Sequence, residues 1–126
     1  MSVHAYQKAR NIIETPRSTE HRLMGQVTGE MIAAAAAGKS GVALAGCLHH
    51  NREVWSAFSS ACAAPGNELP VELRGQIISI ALWVDRHSSA VIGGRETIDA
   101  LIDVNRSVMD GLAASNDAAT AMAANA

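Results

Sequence analysis

The 126-residue sequence has few aromatic residues, few charged residues and no long apolar run. Aromatic residues make up 3% of the chain, charged residues 17%, and the formal net charge is −2. Proteins that bind nucleic acid or anionic lipid carry basic surfaces, and base recognition adds stacking rings, so we expect neither partner. The longest strongly apolar stretch, Ile77 to Val84, is far shorter than the ~20 residues of a membrane span. No membrane association is expected either.

Cysteine is also scarce, and the two cysteines are placed where they cannot pair. Cys47 and Cys62 are fifteen residues apart in a segment with helical periodicity. At about 1.5 Å per residue, a helix would hold them roughly 22 Å apart, which is too far for a disulfide. Two thiols that cannot pair are typical of a reducing compartment. Residues 1–8 lack the apolar core of a signal peptide, so these features together predict a cytoplasmic protein.

Apolar residues at helical spacing are what the sequence has in abundance. Hydrophobic residues make up 48% of the chain, which excludes intrinsic disorder as its main state. Apolar positions that step by three, four or seven residues lie on one face of a helix. The main stripes are Leu44, Leu48, Trp55, Phe58 and Cys62; then Leu73, Ile77, Ile80, Val84 and Val91; then Ile98, Leu101, Ile102, Val108, Met109 and Leu112.

Proline and glycine separate these stripes. Pro16 and Pro70 are typical of a first helical turn, and Gly93-Gly94 is typical of a helix end. The alanine-rich end of the chain carries one charge and too little apolar surface to hold it against a core. We therefore predict an all-α fold, a single compact bundle of about five helices in residues 1–112, followed by a disordered, flexible tail over 113–126. The predicted helices span roughly 3–14, 16–37, 41–63, 70–92 and 95–112.

Three short motifs suggest phosphate binding, metal binding and catalysis, and each also has a simpler structural interpretation. Gly38-Lys39-Ser40 resembles the end of a phosphate-binding loop, but Ala33 stands where that loop needs glycine and no strand precedes it. Cys47-x-His49-His50 offers metal ligands, yet a structural zinc site needs four. Asp85-Arg86-His87 are adjacent on a helix and point about 100° apart, so they do not converge on one substrate. We expect no enzyme activity, no catalytic residues, no metal and no cofactor.

Polar residues inside three predicted helices are the most unusual feature. Asn51-Arg52, Asp85-Arg86 and Asn105-Arg106 recur there, and Asn105 occupies a step of an apolar stripe. One interpretation is a hydrogen-bonded polar layer that sets the helix register, because buried polar groups must be satisfied. The other is a partner-binding surface, because tryptophan and arginine are favoured at interface hot spots. Each of the two tryptophans, Trp55 and Trp83, fits either a buried position or a partner-binding surface, and we expect one of them at the surface.

Longer motifs carry a resemblance to a known family. The central run begins with Asn51-Arg52-x-x-Trp55 and continues from Pro65-Gly66-Asn67 to Ile77-Ile78-Ser79-Ile80-Ala81-Leu82-Trp83-Val84-Asp85-Arg86-His87. A second run extends from Leu101-Ile102-Asp103-Val104-Asn105-Arg106 to Gly111-Leu112. Over roughly residues 3–112 the chain resembles FlaF, a regulator of flagellar biosynthesis in bacteria.

The resemblance implies an accessory protein for flagellin, the subunit of the flagellar filament. FlaF-like proteins are needed for flagellin to be made and exported. They act beside a second small regulator, FlbT, which restrains flagellin production through its messenger RNA. A FlaF-like protein is expected to bind flagellin in the manner of a cytoplasmic export chaperone. The expected partners are therefore flagellin, FlbT and the flagellar export apparatus, and the family offers no catalytic residues.

For this chain the hypothesis is a flagellin-binding bundle with a groove between the third and fourth predicted helices. Such a groove would accept one of flagellin's amphipathic terminal helices. The alternative is a regulatory adaptor that acts through FlbT on flagellin mRNA translation without binding flagellin. The flagellin segment bound, competition between FlbT and flagellin, and dimerisation stay open. The candidate partner-binding residues are Trp55, Trp83 and Arg86 as anchors, with Asn51, Arg52 and His87 as polar partners.

Overall fold

The computed structural model describes the backbone of residues 16–66 and 69–124, and every regular element in these ranges is helical. No strand occurs there, which confirms the predicted all-α fold class. The predicted helix 3–14 lies outside the described residues, so four α-helices are described where the sequence predicted about five. They are α1 (Pro16–Ala36), α2 (Ala45–Ala63), α3 (Val71–Ile92) and α4 (Asp99–Ala124), with a 3-10 turn, Gly41–Leu44, directly before α2.

Glycines with positive φ end α1 and α3 at the predicted breaks. Gly38 (φ 75°) follows α1, where the Gly38 N–H bonds to the Ala35 carbonyl and the Lys39 N–H bonds to the Ala34 carbonyl. The same pair of bonds closes α3 around Gly94 (φ 75°). This Schellman arrangement satisfies the last helical carbonyls, and glycine suits it because a Cβ is disfavoured in the left-handed region. The Gly38-Lys39-Ser40 motif is thus part of a helix end.

α4 differs from the prediction at both ends. It begins at Asp99 rather than residue 95, and it continues to Ala124, where the prediction ended it at 112 and left a disordered tail. Alanine has the highest intrinsic helix propensity, so an alanine-rich segment that follows a packed helix keeps the helical backbone. The prediction counted apolar burial and neglected this local preference. The division at residue 112 into a folded domain and a flexible tail stays a prediction.

The helices form an antiparallel bundle around an apolar core. α2 packs against α1 and α3, and α1 also packs against α4. Thr28 of α1 meets Asn105 of α4, whereas Gly25, nearer the start of α1, meets Met109 further along α4. α3 and α4 touch at only a few points along their length. The apolar residues that are at most 2% exposed are Met24, Val27, Met31, Leu44, Leu48, Trp55, Phe58, Cys62, Ile77, Val84, Val91 and Leu101.

Not all members of the predicted apolar stripes reach this core. Leu73 and Ile80 of α3 are only partly buried, as are Val108 and Met109 of α4. The stripe on α2 is buried throughout, because α2 has a packed neighbour on each side. The incompletely covered residues therefore lie on α3 and α4, which touch each other at only a few points.

The positions of the cysteines and the apolarity of the helices bear on two further predictions. α2 carries both cysteines, with Cys47 half-buried and Cys62 buried. One rigid helix holds the two thiols apart, as the sequence predicted. None of the helices in the described ranges combines the length and the apolarity needed to cross a bilayer.

Candidate partner-binding site

A buried polar layer crosses the bundle at Asn105 of α4. Trp55 Nε1–H donates to Asn105 Oδ1 at 2.8 Å, and Asn105 Nδ2 donates to Asn51 Oδ1 at 2.9 Å and to Thr28 Oγ1 at 3.1 Å. Thr28 Oγ1 donates to the Met24 carbonyl at 2.6 Å. All of these side chains are buried. Hydrogen bonds are stronger in such a dry interior, so the layer holds α1, α2 and α4 in one register.

This layer places two of the six candidate partner-binding residues in the interior. Asn51 is fully buried, Trp55 is 1% exposed, and the Trp55 ring packs on Phe58 with ring centroids 6.1 Å apart. Because neither side chain reaches the surface of the bundle, neither can serve as a docking anchor in this structure. The structure corrects that assignment in favour of the polar-layer interpretation. The sequence could not separate the two, since a buried and an exposed Asn can occupy the same helical pattern.

Arg52, the third candidate, connects α2 to α3. Its Nη2 donates to the Asp85 carbonyl at 2.6 Å and to Ser89 Oγ, and its Nε lies 3.2 Å from Asp85 Oδ1 in an ion pair. The Arg52 side chain is partly buried, and the Asp85 side chain is exposed. A guanidinium with these contacts already has its charge and its Nη2 donor engaged within the chain. Arg52 therefore holds two helices together in this structure.

The remaining candidates lie on the outer part of α3, near its C-terminal end. Trp83 and His87 stack with ring centroids 4.7 Å apart and an interplanar angle of 21°. His87 Nε2 lies 3.3 Å from the Thr97 carbonyl, in the segment that leads into α4. Trp83 and His87 are half-buried, and Arg86 is exposed. Trp83 is thus the accessible one of the two tryptophans, and these three candidates can meet a partner.

The groove predicted between the third and fourth helices corresponds to the space between α2 and α3. The structure has a small cleft of about 240 Å³ there. Ser56, Ser59 and Ser60 line it on the α2 side, and the Arg52–Asp85 ion pair closes part of it. A helix-binding groove needs a continuous apolar floor, and here serines and an ion pair interrupt the floor. The cleft does not have the surface that the hypothesis requires.

A larger apolar groove lies between α3 and α4. Its volume is about 390 Å³. We call this groove the α3–α4 seam. It is lined by Leu73, Gln76, Ile77 and Ile80 from α3 and by Asp103, Val104, Ser107, Val108 and Gly111 from α4.

In the sequence, the apolar residues of this seam belong to helix stripes that do not by themselves indicate a groove. Leu73, Ile77 and Ile80 form one stripe on α3, but only Ile77 is fully buried. Periodicity shows which residues share a face, and it does not show whether a neighbouring helix covers that face. The signal in the sequence was on α4, where Ser107 and Gly111 stand at positions that a closed interface would fill with large apolar residues.

The two histidines of the Cys47-x-His49-His50 motif contact carboxylates of this chain, and Cys47 Sγ donates to the Leu44 carbonyl. His50 Nδ1 lies 2.8 Å from Glu30 Oε2, and His49 Nε2 lies 2.9 Å from Glu53 Oε1. Burial raises the pKa of the Cys47 thiol above its usual value, and the negative charge of Glu30 adds to the increase. In the part of the chain that the structure describes, no three His, Cys, Asp or Glu side chains are grouped as metal ligands.

Comparison with protein families gives a match over most of the chain. A family model described as flagellar protein FlaF matches residues 2–112. That span contains the whole polar layer and the whole α3–α4 seam. No curated protein and no solved structure matches the chain. The family description names no reaction, and the expectation that the protein is not an enzyme stays a prediction.

Proposed function

The chain belongs to the FlaF family of flagellar proteins, and from that premise we propose that it promotes flagellin synthesis and export by binding flagellin as a chaperone. The role is non-enzymatic. The protein would hold flagellin before export and release it at the export apparatus. We include in this proposal the holding of flagellin, its release, and any action together with FlbT.

The uncovered α3–α4 seam is the observation that carries this proposal. Flagellin's terminal segments, as the family resemblance implies, are amphipathic helices that become ordered when subunits pack into a filament. Before assembly their apolar faces need cover, because exposed apolar patches associate. A helical bundle supplies such cover when two of its helices leave an apolar groove, into which a third helix lays its apolar face. The seam has the apolar floor that this mode of binding uses.

The accessible candidate residues on α3 support the proposal that flagellin binds at the seam. Trp83 follows Ile80 by one helical turn, so it extends the α3 face that lines the seam. His87 stacks on Trp83 and restricts the motion of the ring. A large aromatic ring held in place at the edge of an apolar groove is typical of binding hot spots. Arg86, exposed beside it, is a polar contact at the rim.

Calorimetry with purified monomeric flagellin tests the proposal. We expect micromolar or tighter binding to full-length flagellin, with a buried surface of about 1,000 Å² or more. Binding should disappear when one terminal segment of flagellin is removed and persist when the other is removed. That result would establish the chaperone role and locate its target.

The competing role is that of an adaptor that acts through FlbT on flagellin mRNA translation. No binding to any form of flagellin, together with capture of purified FlbT in a pull-down, would favour the adaptor. If RNA were involved directly, binding would weaken steeply as salt is raised, because phosphate contacts release counterions. A chaperone contact through the seam depends mainly on apolar burial and should respond weakly to salt.

A further inference from the structure

We infer that the α3–α4 seam, and not the α2–α3 cleft, receives one amphipathic helix of flagellin, and that this helix carries Lys or Arg beside its apolar stripe. The inference rests on the proposed function and deepens it by naming the site and the chemistry of the bound segment. It follows from which sides of the bundle are closed, from the shape of the seam and from the charge at its rim.

Three sides of the bundle are closed by side-chain contacts. A Cβ added at Gly25 would lie 3.9 Å from Met109 Sδ, so α1 and α4 approach closely. Polar bonds between neighbouring helices reinforce the closed sides. Because a closed side has its apolar atoms already covered, a partner gains little by docking there. The bonds that link the closed sides are Glu30–His50, Arg52–Asp85 and Thr28–Asn105.

Among the described residues, the α3–α4 side is left as an open groove, and hydrogen bonds on the other side of α4 hold its floor in place. Asn105 is fixed in the polar layer by three hydrogen bonds. Val104 precedes it by one position, so it projects from α4 about 100° away and lines the seam. On α3, the lining from Leu73 to Ile80 spans eight residues, or about 10 Å of helix. A floor of this length fits two turns of a docked helix, and its prior ordering lowers the entropic cost of binding.

The charged side chain at the rim of the seam is acidic. Asp103 lines the seam and is exposed, and no Lys or Arg is among the lining residues. Complementary charge steers a partner and sets its register. The bound helix is therefore expected to present basic residues beside its apolar stripe.

Two arginines on the same helices do not change this rim. Arg106 is two residues from Val104, which places it on the opposite side of α4. Arg74 is one position from Leu73, so it projects about 100° from that part of the lining, and its Nε is buried. Neither guanidinium lines the seam.

The test compares two Glu substitutions in the full chain, with monomeric flagellin as the probe in calorimetry. Ile80→Glu places a charge on the floor of the seam, and Val42→Glu places the same charge on the 3-10 turn, where Val42 is 76% exposed. We expect Ile80→Glu to weaken flagellin binding at least about 30-fold, as for a hot-spot residue, and Val42→Glu to change it less than about 2-fold. Circular dichroism of each variant shows whether helicity is intact.

A second variant keeps the inference testable should Ile80→Glu lose helicity. Asp103→Lys reverses an exposed charge and leaves the core untouched. It should weaken flagellin binding by up to about 5-fold at low salt, and less as salt screens the rim. Raising the salt concentration should therefore bring the affinities of Asp103→Lys and the wild type together.

Each outcome decides a different part of the inference. Equal binding of flagellin by the wild type and folded Ile80→Glu would overturn the seam as the site and leave flagellin binding intact. Equal binding by Asp103→Lys at every salt concentration would overturn the basic character of the bound helix. A wild type that sediments as a dimer, and an Ile80→Glu variant that sediments as a monomer, would assign the seam to a second copy. No flagellin binding by the wild type would overturn the proposed function and the seam assignment together.

Discussion

Two sides of α4 meet the rest of the bundle in opposite ways. On one side Asn105 is buried and joins α1 and α2 through hydrogen bonds of 2.8 to 3.1 Å. On the other side Val104 and Val108 face α3 across an open groove of about 390 Å³. The closed side thus has polar residues in a dry interior, and the open side has apolar residues near water. The comparison teaches that burial here follows the contacts between helices rather than the hydropathy of each residue.

The closed side specifies structure, and the open side is available for binding. A buried polar layer forms its hydrogen bonds only when the helices are correctly aligned, so it favours one register. Among the described residues, Asn51 Nδ2 in this layer has no hydrogen-bond partner. An open apolar groove costs free energy in the isolated protein, because water remains in contact with apolar atoms. A partner that covers the groove recovers that free energy. Substitutions on the two sides should therefore separate stability from binding.

Trp55→Ala on the closed side should have the largest effect. The substitution removes a ring that is 1% exposed and leaves Asn105 Oδ1 without its donor. We expect unfolding to become easier by about 4–5 kcal/mol, since large-to-small changes of buried aromatic residues cost this much. Urea unfolding followed by circular dichroism measures it. A shift no larger than that of Trp83→Ala would contradict the assignment of Trp55 to the core.

Asn105→Ala should destabilise the closed side somewhat less. The change leaves Trp55 Nε1–H and Asn51 Oδ1 buried without a partner. We expect a loss of about 3 kcal/mol in the free energy of unfolding. The matched control is Arg106→Ala, the exposed neighbour on the same helix, which should change stability by less than about 0.5 kcal/mol. Equal effects of the two substitutions would mean that the polar layer does not hold the bundle together.

Trp83→Ala should weaken flagellin binding more than it lowers stability. Trp83 is half-buried, so we expect a stability loss of only about 1 kcal/mol. Flagellin binding should weaken by about 2 kcal/mol, because a rigid aromatic ring at the edge of the seam would be lost. Calorimetry and urea unfolding of one variant measure the two quantities. Unfolding of the domain with no separate effect on binding would place Trp83 in the core instead.

The smallest expected effect concerns the reactivity of a half-buried thiol compared with that of an exposed thiol in the seam. Burial raises the pKa of Cys47, so at a given pH less of it is thiolate than for an exposed thiol. Iodoacetamide should therefore alkylate Cys47 slowly near pH 8, with the rate still rising at higher pH. The matched control is Ser107→Cys in the seam, where Ser107 is exposed and the new thiol should titrate normally. Peptide mass spectrometry reports the rate at each site, and equal pH profiles would contradict the difference.

Helix ends were largely predictable from local sequence. Gly94 of the predicted Gly93-Gly94 signal marks where α3 ends, and Gly38 lies in the predicted break after α1, because glycine adopts a positive φ without the steric cost that other residues have. Pro16 begins α1, as predicted. The end of α4 was not predicted, since the argument from missing apolar burial gave no weight to the helix propensity of alanine. Local signals thus locate a helix end best where one residue imposes a backbone conformation.

The candidate site was only partly predictable. The sequence singled out Asn51, Trp55 and Trp83 by residue type and spacing, and the structure places the first two in the core and leaves the third half-buried on α3. The groove was expected between α2 and α3, whereas the larger apolar groove lies between α3 and α4. Residue type predicts which side chains are important, but their accessibility depends on the neighbouring helix.

The sequence by itself determined the all-α class, most helix boundaries and the family, because periodicity, helix-end residues and long motifs are local properties of the chain. Only the tertiary structure decided that Asn105 is bonded inside the bundle while Val104, one residue earlier, lines an open groove. The physical reason is distance. Burial and hydrogen bonding depend on how closely two helices approach, and that spacing results from side chains on both helices at once.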